Sequence, residues 1–196
     1  MNHLAHFLLA PASDAARMGT LLGDFVRGTQ LQEWPSEVES AIRLHRRVDS
    51  ITDTHPVVGE AKALAPPALR RYAGILTDVF FDHLLIAQWA RWSDEPLDRY
   101  CAGIYASLAR TATRMPPAAQ GLALRMGEFD ILTACATRAG VERVLGRIAK
   151  RLSRPVDLAA GAVMLDTYYA RLEDSFERFF PELQATAAQW PQPQAD

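Results

Sequence analysis

The helical spacing of the apolar residues constrains the fold of this chain most strongly. Apolar side chains recur three and four residues apart almost throughout, and the alternating Val, Ile and Thr runs that mark strands are missing. The chain has 196 residues, of which 49% are apolar, and this is enough material for one folded core. We therefore expect an all-α fold, a single-domain helical bundle over residues 1–190 with a frayed tail at 191–196.

Capping residues and prolines predict where the helices begin and end. Ser13 is a good N-cap, and Ser36 with Glu39 three residues later forms a capping-box pattern. Proline pairs at 66–67 and 116–117, and single prolines at 56 and 181, mark helix boundaries. The predicted helical segments are 14–25, 36–54, 67–92, 97–114, shorter helices within 118–136, then 141–152 and 156–180.

Charge and cysteine usage exclude several functional classes. A net charge of −2, from 21 basic and 23 acidic residues, argues against a general nucleic-acid binder. Cys101 and Cys135 form no CxxC pair, which excludes a cysteine zinc site and a disulfide framework. No apolar run approaches the roughly 20 residues that span a bilayer, and residues 1–12 lack the basic start of a signal peptide. We expect a cytoplasmic protein with two reduced thiols and no membrane or nucleic-acid partner.

The histidines and many of the aspartates are concentrated at one end of the sequence. All five histidines and six aspartates occur within the first 83 residues, and the remaining residues contain no histidine. These residues are His3, His6, His45, His55 and His83 with Asp14, Asp24, Asp49, Asp53, Asp78 and Asp82. Imidazole and carboxylate groups that converge from separate helices are the ligands of a divalent metal site.

Helical spacing places several of these groups on shared faces. His45, Asp49 and Asp53 follow one another at i, i+4 and form one polar stripe. A solvated helix face, with the two aspartates paired to Arg46 or Arg47, explains the same stripe without a metal. Likewise, His3 and His6 are equally compatible with a helix surface, and Asp24 with a simple helix end.

A second group lies in an apolar segment over residues 75–86. Asp78 and Asp82 are four residues apart on one helix face, and His83 follows Asp82 directly. Burying such groups without compensation is costly, and a metal ion would supply that compensation. Taken by itself, the Asp82-His83 pair is also explained by a core histidine that is hydrogen-bonded to the aspartate, without a metal. The joint occurrence of all these groups in one half of the chain favours a metal site.

Four ordered blocks of the sequence resemble the bacterial acyl carrier protein phosphodiesterase family. They are MNHLAHFLLA at 1–10, GTLLGDFVRG at 19–28, LHRRVDSITDTHP at 44–56 and RRYAGILTDVFFDH at 70–83. The resemblance covers residues 1–92 well, and the second half resembles the family in length and helical character.

The resemblance implies an activity and a cofactor. Members of this family hydrolyse the phosphodiester that joins 4′-phosphopantetheine to a serine of holo acyl carrier protein. They use a divalent cation, with Mn²⁺ preferred and Mg²⁺ or Fe²⁺ as alternatives, and they are regarded as relatives of the all-α HD-domain phosphohydrolases. The fold implied is thus HD-domain-like. The adjacent pair at 82–83 is Asp-His rather than the usual His-Asp of that superfamily, so the assignment of ligands stays open.

The chemistry of such a metal site suggests roles for individual residues. The candidate metal ligands are Asp24, Asp82, His83 and His6. The candidate catalytic residues are His45, Arg46, Asp49, His55 and Asp78. In these roles Arg46, or Arg47, would stabilise the charge that develops on the phosphate. His55, or His45 where it is not a ligand, would protonate the serine leaving oxygen.

The segment 138–154 is the candidate surface for the acidic carrier protein. It contains six basic residues and one acidic residue, Glu142. The residues assigned to carrier binding, on one predicted helical stripe, are Arg143, Arg147, Lys150, Arg151 and Arg154. An ordinary solvated helix face is the alternative explanation.

Two other functions remain open at this point. A metal-dependent phosphohydrolase of a nucleotide or another small phosphoester would use the same site without the basic segment. A di-iron helical bundle would need Glu-x-x-His motifs, and the chain has none. The sequence makes no prediction of the oligomeric state.

Overall fold

The fold is described from a computed structural model of the chain, which describes residues 3–28 and 30–191. Its α-helices are α1 (His3–Leu9), α2 (Asp14–Leu22), α3 (Ser36–Thr54), α4 (Pro56–Lys62), α5 (Ala73–Ala87), α6 (Leu97–Thr111), α7 (Pro117–Glu128), α8 (Arg138–Ala149) and α9 (Val163–Ala188). Short 3₁₀ helices lie at Gln30–Glu33, Pro67–Tyr72, Trp89–Arg91, Ala112–Arg114, Ile131–Thr133 and Ala159–Ala162. These ranges contain no β-strand, which confirms the all-α prediction. None of the helices described is long and apolar enough to cross a membrane.

The described residues divide into two compact units that alternate along the chain. The histidine unit comprises residues 3–28, 30–50, 95–132 and 183–191, and the aromatic unit comprises residues 51–94 and 133–182. The single domain over residues 1–190 stays a prediction. The frayed tail was predicted over 191–196, of which residues 192–196 lie outside the described part of the chain.

In the histidine unit, α1 and α6 pack against α2, and α6 packs against α7. Ser13 is the N-cap of α2, as predicted, and its hydroxyl accepts a hydrogen bond from the Ala16 amide at 3.0 Å. Arg17 of α2 donates to the Gly103 carbonyl of α6 at 3.0 Å, which ties these helices together. The predicted helix 14–25 instead ends at Leu22, since the chain turns at Gly23.

Helix α3 begins and ends where the sequence predicts, at Ser36 and Thr54. The acidic side chains of its first turn are used differently from a capping box. Glu39 accepts hydrogen bonds from Arg43 at 2.8 and 2.6 Å, and Glu37 accepts one from the Ser13 hydroxyl. Helix α4 was not predicted. It follows directly after His55 and has Pro56 in its first position. Proline is favourable there, because an amide hydrogen at the first position of a helix has no acceptor within the helix.

In the aromatic unit, four phenylalanines of α5 and α9 form the core together with Trp92, which directly follows the 3₁₀ helix Trp89–Arg91. The ring of Phe176 lies 5.4 Å from Phe81, 5.0 Å from Phe180 and 5.8 Å from Trp92, between ring centroids. Phe81 also contacts Phe179 at 6.1 Å. Phe81, Phe176, Phe179 and Phe180 are fully buried. Edge-to-face and offset contacts of this kind add to the hydrophobic stabilisation.

Three predicted boundaries in this part of the sequence are wrong. The predicted segment 67–92 is interrupted by the 3₁₀ helices Pro67–Tyr72 and Trp89–Arg91. At the second break, Gln88 donates hydrogen bonds to Glu173 and Glu177 at 3.0 and 2.9 Å. The spacing of apolar residues does not predict tertiary hydrogen bonds of this kind. Helix α8 runs from Arg138 to Ala149, so it begins and ends earlier than the predicted segment 141–152.

The third wrong boundary concerns α9. It begins at Val163 rather than Val156, and it continues through Pro181 to Ala188. A proline inside a helix costs about 3 kcal/mol, since one hydrogen bond is lost. The side chains of Phe179, Phe180 and Leu183 beside it are fully buried, and each contributes about 1.5–3 kcal/mol. Burial on both sides of Pro181 therefore outweighs the break that the sequence predicts.

We expect Phe176→Ala to lower the free energy of unfolding by about 3–5 kcal/mol, because it empties the centre of the aromatic core. Phe129→Ala is the matched control, since Phe129 is 59% exposed and its removal should change stability by less than about 0.5 kcal/mol. Urea unfolding followed by circular dichroism measures both variants. Equal losses in the two variants would contradict the assignment of this core.

Candidate metal centre

Two helices and a turn of the histidine unit bring histidine and aspartate side chains together. Helix α1 carries His3 and His6 three residues apart, and α3 carries His45 and Asp49 four residues apart. Asp24 lies in the turn directly after α2. Residues spaced by three or four positions share one helix face, so each helix presents its pair together.

The Asp49 carboxylate bridges the two buried imidazoles. Its Oδ1 atom lies 3.1 Å from Nε2 of His6, and its Oδ2 atom lies 3.2 Å from Nε2 of His45. Nε2 of His45 also lies 3.4 Å from Oδ1 of Asp24, and Oδ2 of Asp24 lies 3.8 Å from Nδ1 of His3. Asp24 and His45, two of the predicted site residues, therefore lie close together.

The two imidazole rings are stacked and buried. The ring centroids of His6 and His45 are 3.8 Å apart and the planes are inclined by 8°. Their side chains are 2% and 3% exposed, whereas those of Asp49 and Asp24 are 42% and 46% exposed. The imidazoles thus form the closed base of the site, and the carboxylates form the side that solvent reaches.

The arrangement separates the pKa values of the two imidazoles. Burial alone would lower the pKa of His45, but hydrogen bonds to Asp24 and Asp49 raise it to about 9. Burial lowers the pKa of His6 to about 4, and the hydrogen bond to Asp49 offsets only part of this effect. The positive charge on His45 lowers the pKa of His6 further, because it disfavours a second positive charge nearby. Near neutral pH, the shifts therefore indicate one positive charge on the stack, on His45, in the absence of a metal.

The carboxylates remain ionised beside these rings. Burial acts to raise the pKa of Asp49, yet the hydrogen bonds with His45 and His6 hold it well below its usual range. The pKa of Asp24 is also lowered, because the interaction with His45 outweighs its burial. Two carboxylates and two imidazoles at one point thus carry a net negative charge, which favours a cation.

The donor atoms of His6, His45 and Asp49 lie within 4.8 Å of one another and can hold a metal ion. Ligand atoms that share an ion at about 2.1 Å lie about 3 Å apart, as the contacts of Asp49 with both imidazoles do. Within the described residues, Nδ1 of His45 is buried without a hydrogen-bond partner. A mixed set of imidazole and carboxylate suits Mn²⁺, Fe²⁺ or Zn²⁺, and the exposed carboxylates leave a side open for water and substrate.

Arg46, predicted to stabilise the phosphate, lies beside this cluster on α3. Its Nη2 atom donates a hydrogen bond to the Val26 carbonyl at 2.6 Å. This contact fixes the turn that carries Asp24. A guanidinium has five N–H donors, so the bond to Val26 leaves others for an anion.

The predicted ligands Asp82 and His83 belong to the aromatic unit. Asp82 is buried. The burial of Cys135 and, to a smaller extent, the negative charge of Asp82 raise the pKa of the Cys135 thiol to about 12. Nδ1 of His83 lies 2.8 Å from the Cys135 carbonyl oxygen, and its ring contacts Tyr169 edge to face. The metal-binding role of this pair stays a prediction. Both Cys135 and Cys101 are buried thiols outside any disulfide.

His55 and Asp78, predicted to be catalytic, also belong to the aromatic unit. His55 is the N-cap of α4: its Nδ1 atom accepts a hydrogen bond from the Val57 amide at 3.3 Å, and Nε2 lies 3.2 Å from the Glu182 carboxylate. Burial raises the pKa of Asp78. The catalytic roles of both residues stay predictions. Asp53, the third member of the predicted stripe with His45 and Asp49, pairs with Lys62 at 3.3 Å.

The predicted carrier-binding residues Arg143, Arg147, Lys150, Arg151 and Arg154 are all exposed. Only Arg143 and Arg147 lie in α8, since Lys150 is its C-cap and the chain turns beyond it. The prediction of one helical stripe is therefore wrong for Lys150, Arg151 and Arg154. Within the part of the chain that the structure describes, none of these five cations forms an ion pair, whereas Arg138 pairs with Glu142 and Asp166.

One residue near the cluster was not among the predicted site residues. His3 faces Asp24, and burial lowers its pKa. Its spacing of three from His6 was the available signal, because the two share a face of α1.

In metal-free protein, we expect His45 to stay protonated up to about pH 9 and His6 to stay neutral down to about pH 4. The raised pKa of His45 gives a stabilisation that is complete below its unfolded value of 6.5 and is lost as the pH rises through 9. The lowered pKa of His6 makes stability fall as the pH falls from 6.5 towards 4.

An NMR titration of ¹⁵N-labelled imidazoles measures both values. Asp49→Asn should lower the pKa of His45, since the substitution removes a facing negative charge. Asp14→Asn, a change of another surface aspartate in the same unit, should leave both titrations unaltered. A pKa near 6.5 for His45 in the unmodified chain would be inconsistent with the described hydrogen bonds.

Comparison with known proteins identifies the family. The family model described as acyl carrier protein phosphodiesterase matches residues 1–183. A relative of that name from Enterobacter sp. (strain 638) is 37% identical over 188 residues, which cover 95% of this chain and 97% of the relative. One from Klebsiella pneumoniae subsp. pneumoniae is 36% identical over 95% of this chain and 97% of the relative, and one from Salmonella newport is 35% identical over 96% and 98%.

No solved structure matches the chain, and the likeness to HD-domain folds stays a prediction. The matched length and the identity to these relatives agree with the four blocks at 1–10, 19–28, 44–56 and 70–83. The chain belongs to the acyl carrier protein phosphodiesterase family.

Proposed function

We propose that this chain hydrolyses the phosphodiester between 4′-phosphopantetheine and the serine of holo acyl carrier protein, in the cytoplasm, with a divalent metal held in the histidine unit. The observation that carries the proposal is the convergence of two buried imidazoles and two ionised carboxylates at one point of a family member. The products would be apo carrier protein and 4′-phosphopantetheine.

His6, His45 and Asp49 are the proposed metal-holding residues, with Asp24 facing them. This differs from the sequence prediction, which gives His45 and Asp49 as catalytic residues and leaves His45 open as a ligand. The Asp49 carboxylate lies 3.1 Å from Nε2 of His6 and 3.2 Å from Nε2 of His45, and this supports the change, because groups this close share an ion or a proton. Mn²⁺ is the proposed ion, and when bound it supplies positive charge for a phosphoryl oxygen and a more acidic water.

The chain's own residues prepare the substrate side of this centre. The half-exposed Asp24 and Asp49 carboxylates mark where solvent meets the site. Arg46, fixed by its bond to the Val26 carbonyl, would donate its remaining N–H groups to the non-bridging phosphate oxygens. Such contacts strengthen as negative charge develops in the transition state, and this is how they accelerate hydrolysis.

The basic residues 143–154 are the proposed docking surface for the acidic carrier protein. Their five cations are exposed and form no ion pairs within the described ranges, so they remain available to carboxylates of a partner. A chain with a net charge of −2 needs such a local patch to attract an acidic protein.

Removal of divalent metal by a chelator should abolish hydrolysis, and added Mn²⁺ should restore it. Mass spectrometry of holo carrier protein measures the loss of the phosphopantetheine mass. Asp49→Asn should lower the rate by at least about 10- to 100-fold, because it weakens metal binding. Asp14→Asn is the matched control and should retain full activity, since Asp14 pairs with Arg110 away from the cluster.

Unchanged hydrolysis in the presence of the chelator would contradict the metal centre. Hydrolysis of nucleotides or other small phosphodiesters, with holo carrier protein left intact, would instead support the alternative phosphohydrolase.

The triple variant Arg143→Glu, Arg147→Glu and Arg151→Glu should raise KM for holo carrier protein by about 3- to 100-fold at low salt. Turnover of a small phosphodiester should not change, since docking charges act on encounter and ground-state binding. The effect should shrink as salt rises, because exposed charges are screened over about 8 Å at physiological ionic strength.

The matched control reverses Arg99, Arg114 and Arg125, three exposed arginines of the histidine unit, and makes the same change in net charge. An equal rise of KM in both triple variants would attribute the effect to net charge and count against a docking surface at 143–154.

A further inference from the structure

The imidazole of His45 lies directly against the backbone of Gly23. An ideally placed Cβ atom on Gly23 would lie 2.6 Å from Cδ2 and 2.7 Å from Nδ1 of that ring. Separations below 3.0 Å between such atoms are not tolerated, so the ring occupies the space that any side chain at position 23 would need.

The backbone conformation of Gly23 does not itself require glycine. Its φ and ψ angles are −50° and −35°, which is the right-handed helical region open to every residue. Its amide donates to the carbonyls of Gly19 and Thr20 and closes the last turn of α2. The close approach of His45 is therefore the reason for glycine at this position, in contrast to Gly28, where φ is 58°.

The Cγ end of the His45 ring lies against Gly23, with Cδ2 and Nδ1 at nearly equal distances from the position of a Cβ atom there. Nε2 lies at the opposite end of the ring, 3.4 Å from Asp24 and 3.2 Å from Asp49. Nδ1 is buried and has no hydrogen-bond partner within the described residues. The ring is held by Gly23 and by the stacked ring of His6, and Asp24 follows Gly23 directly in the chain.

We propose that Gly23 is a positioning residue for the metal centre: the absence of a side chain lets His45 lie against the α2 turn with Nε2 at the ligand point. This inference rests on the proposed metal centre, and it assigns a role to a residue that touches neither metal nor substrate. Any side chain at position 23 displaces the ring, separates Nε2 from Asp24 and Asp49, and breaks the stack with His6.

The test compares Gly23→Ala with Gly59→Ala in the full chain. Gly59 is the matched control, because a Cβ atom there meets nothing within 4 Å in the middle of α4. In Gly23→Ala, we expect the Kd for Mn²⁺ from calorimetry to rise by about 10- to 100-fold, as when support of a metal ligand is lost. In the metal-free protein, the imidazole NMR signals of His45 and His6 should lose the ring-current shifts of the stack. Gly59→Ala should change neither measurement.

A second part of the experiment removes the imidazole ring of His45. In the His45→Ala background, Gly23→Ala should cost no stability in urea unfolding, whereas in the unmodified background it should cost some, so the two substitutions are non-additive. Should Gly23→Ala fail to fold alone, folding of the double variant supports the inference and failure of the double variant overturns it.

The outcomes separate this inference from the proposed function. Unchanged Mn²⁺ affinity and unchanged imidazole shifts in Gly23→Ala overturn the role of Gly23, whatever the protein hydrolyses. An unmodified chain that binds no Mn²⁺ overturns the metal centre, and the imidazole shifts and the unfolding cycle of the metal-free protein then still decide whether Gly23 positions His45.

Discussion

The histidine unit depends on the burial of two imidazoles against one carboxylate. Placing His6 and His45 in the interior is costly unless their polar atoms are satisfied, and Asp49 satisfies Nε2 of both. Burial lowers the pKa of His6, whereas hydrogen bonds with Asp24 and Asp49 raise the pKa of His45 against the effect of burial, so one of the two rings carries a positive charge. A site that holds one positive charge between negative groups is also suited to exchange a proton for a metal ion.

The helical content and many of the boundaries follow from local signals in the sequence. Ser13 caps α2, α3 covers 36–54, and α6 begins after Pro96, because these signals act within a few residues. The errors occur where distant contacts outweigh local preference. Pro181 lies inside α9 since buried phenylalanines surround it, and the helix predicted over 67–92 breaks at Gln88, which bonds to two glutamates of α9.

The sequence predicts which residues form the candidate site better than it predicts the role of each residue. Asp24, His6, His45 and Asp49 all stand within the blocks that carry the resemblance, and i, i+4 spacing pairs His45 with Asp49. The spacing of residues along the sequence predicts which side chains share a helix face. It predicts neither how the helices pack together nor how a histidine ring is oriented. The contact of Asp49 with both imidazoles and the approach of His45 to Gly23 therefore need three-dimensional structure.

The proposed metal centre requires His6 and His45 to bind one divalent ion through their ring nitrogens. Electron paramagnetic resonance of bound Mn²⁺ measures both the number of ions and their magnetic coupling to nitrogen. We expect one tightly bound ion per chain with coupling to two imidazoles, reduced to one imidazole in His6→Ala. Mn²⁺ that binds without nitrogen coupling, or with coupling that His6→Ala leaves unaltered, would contradict the proposed metal centre.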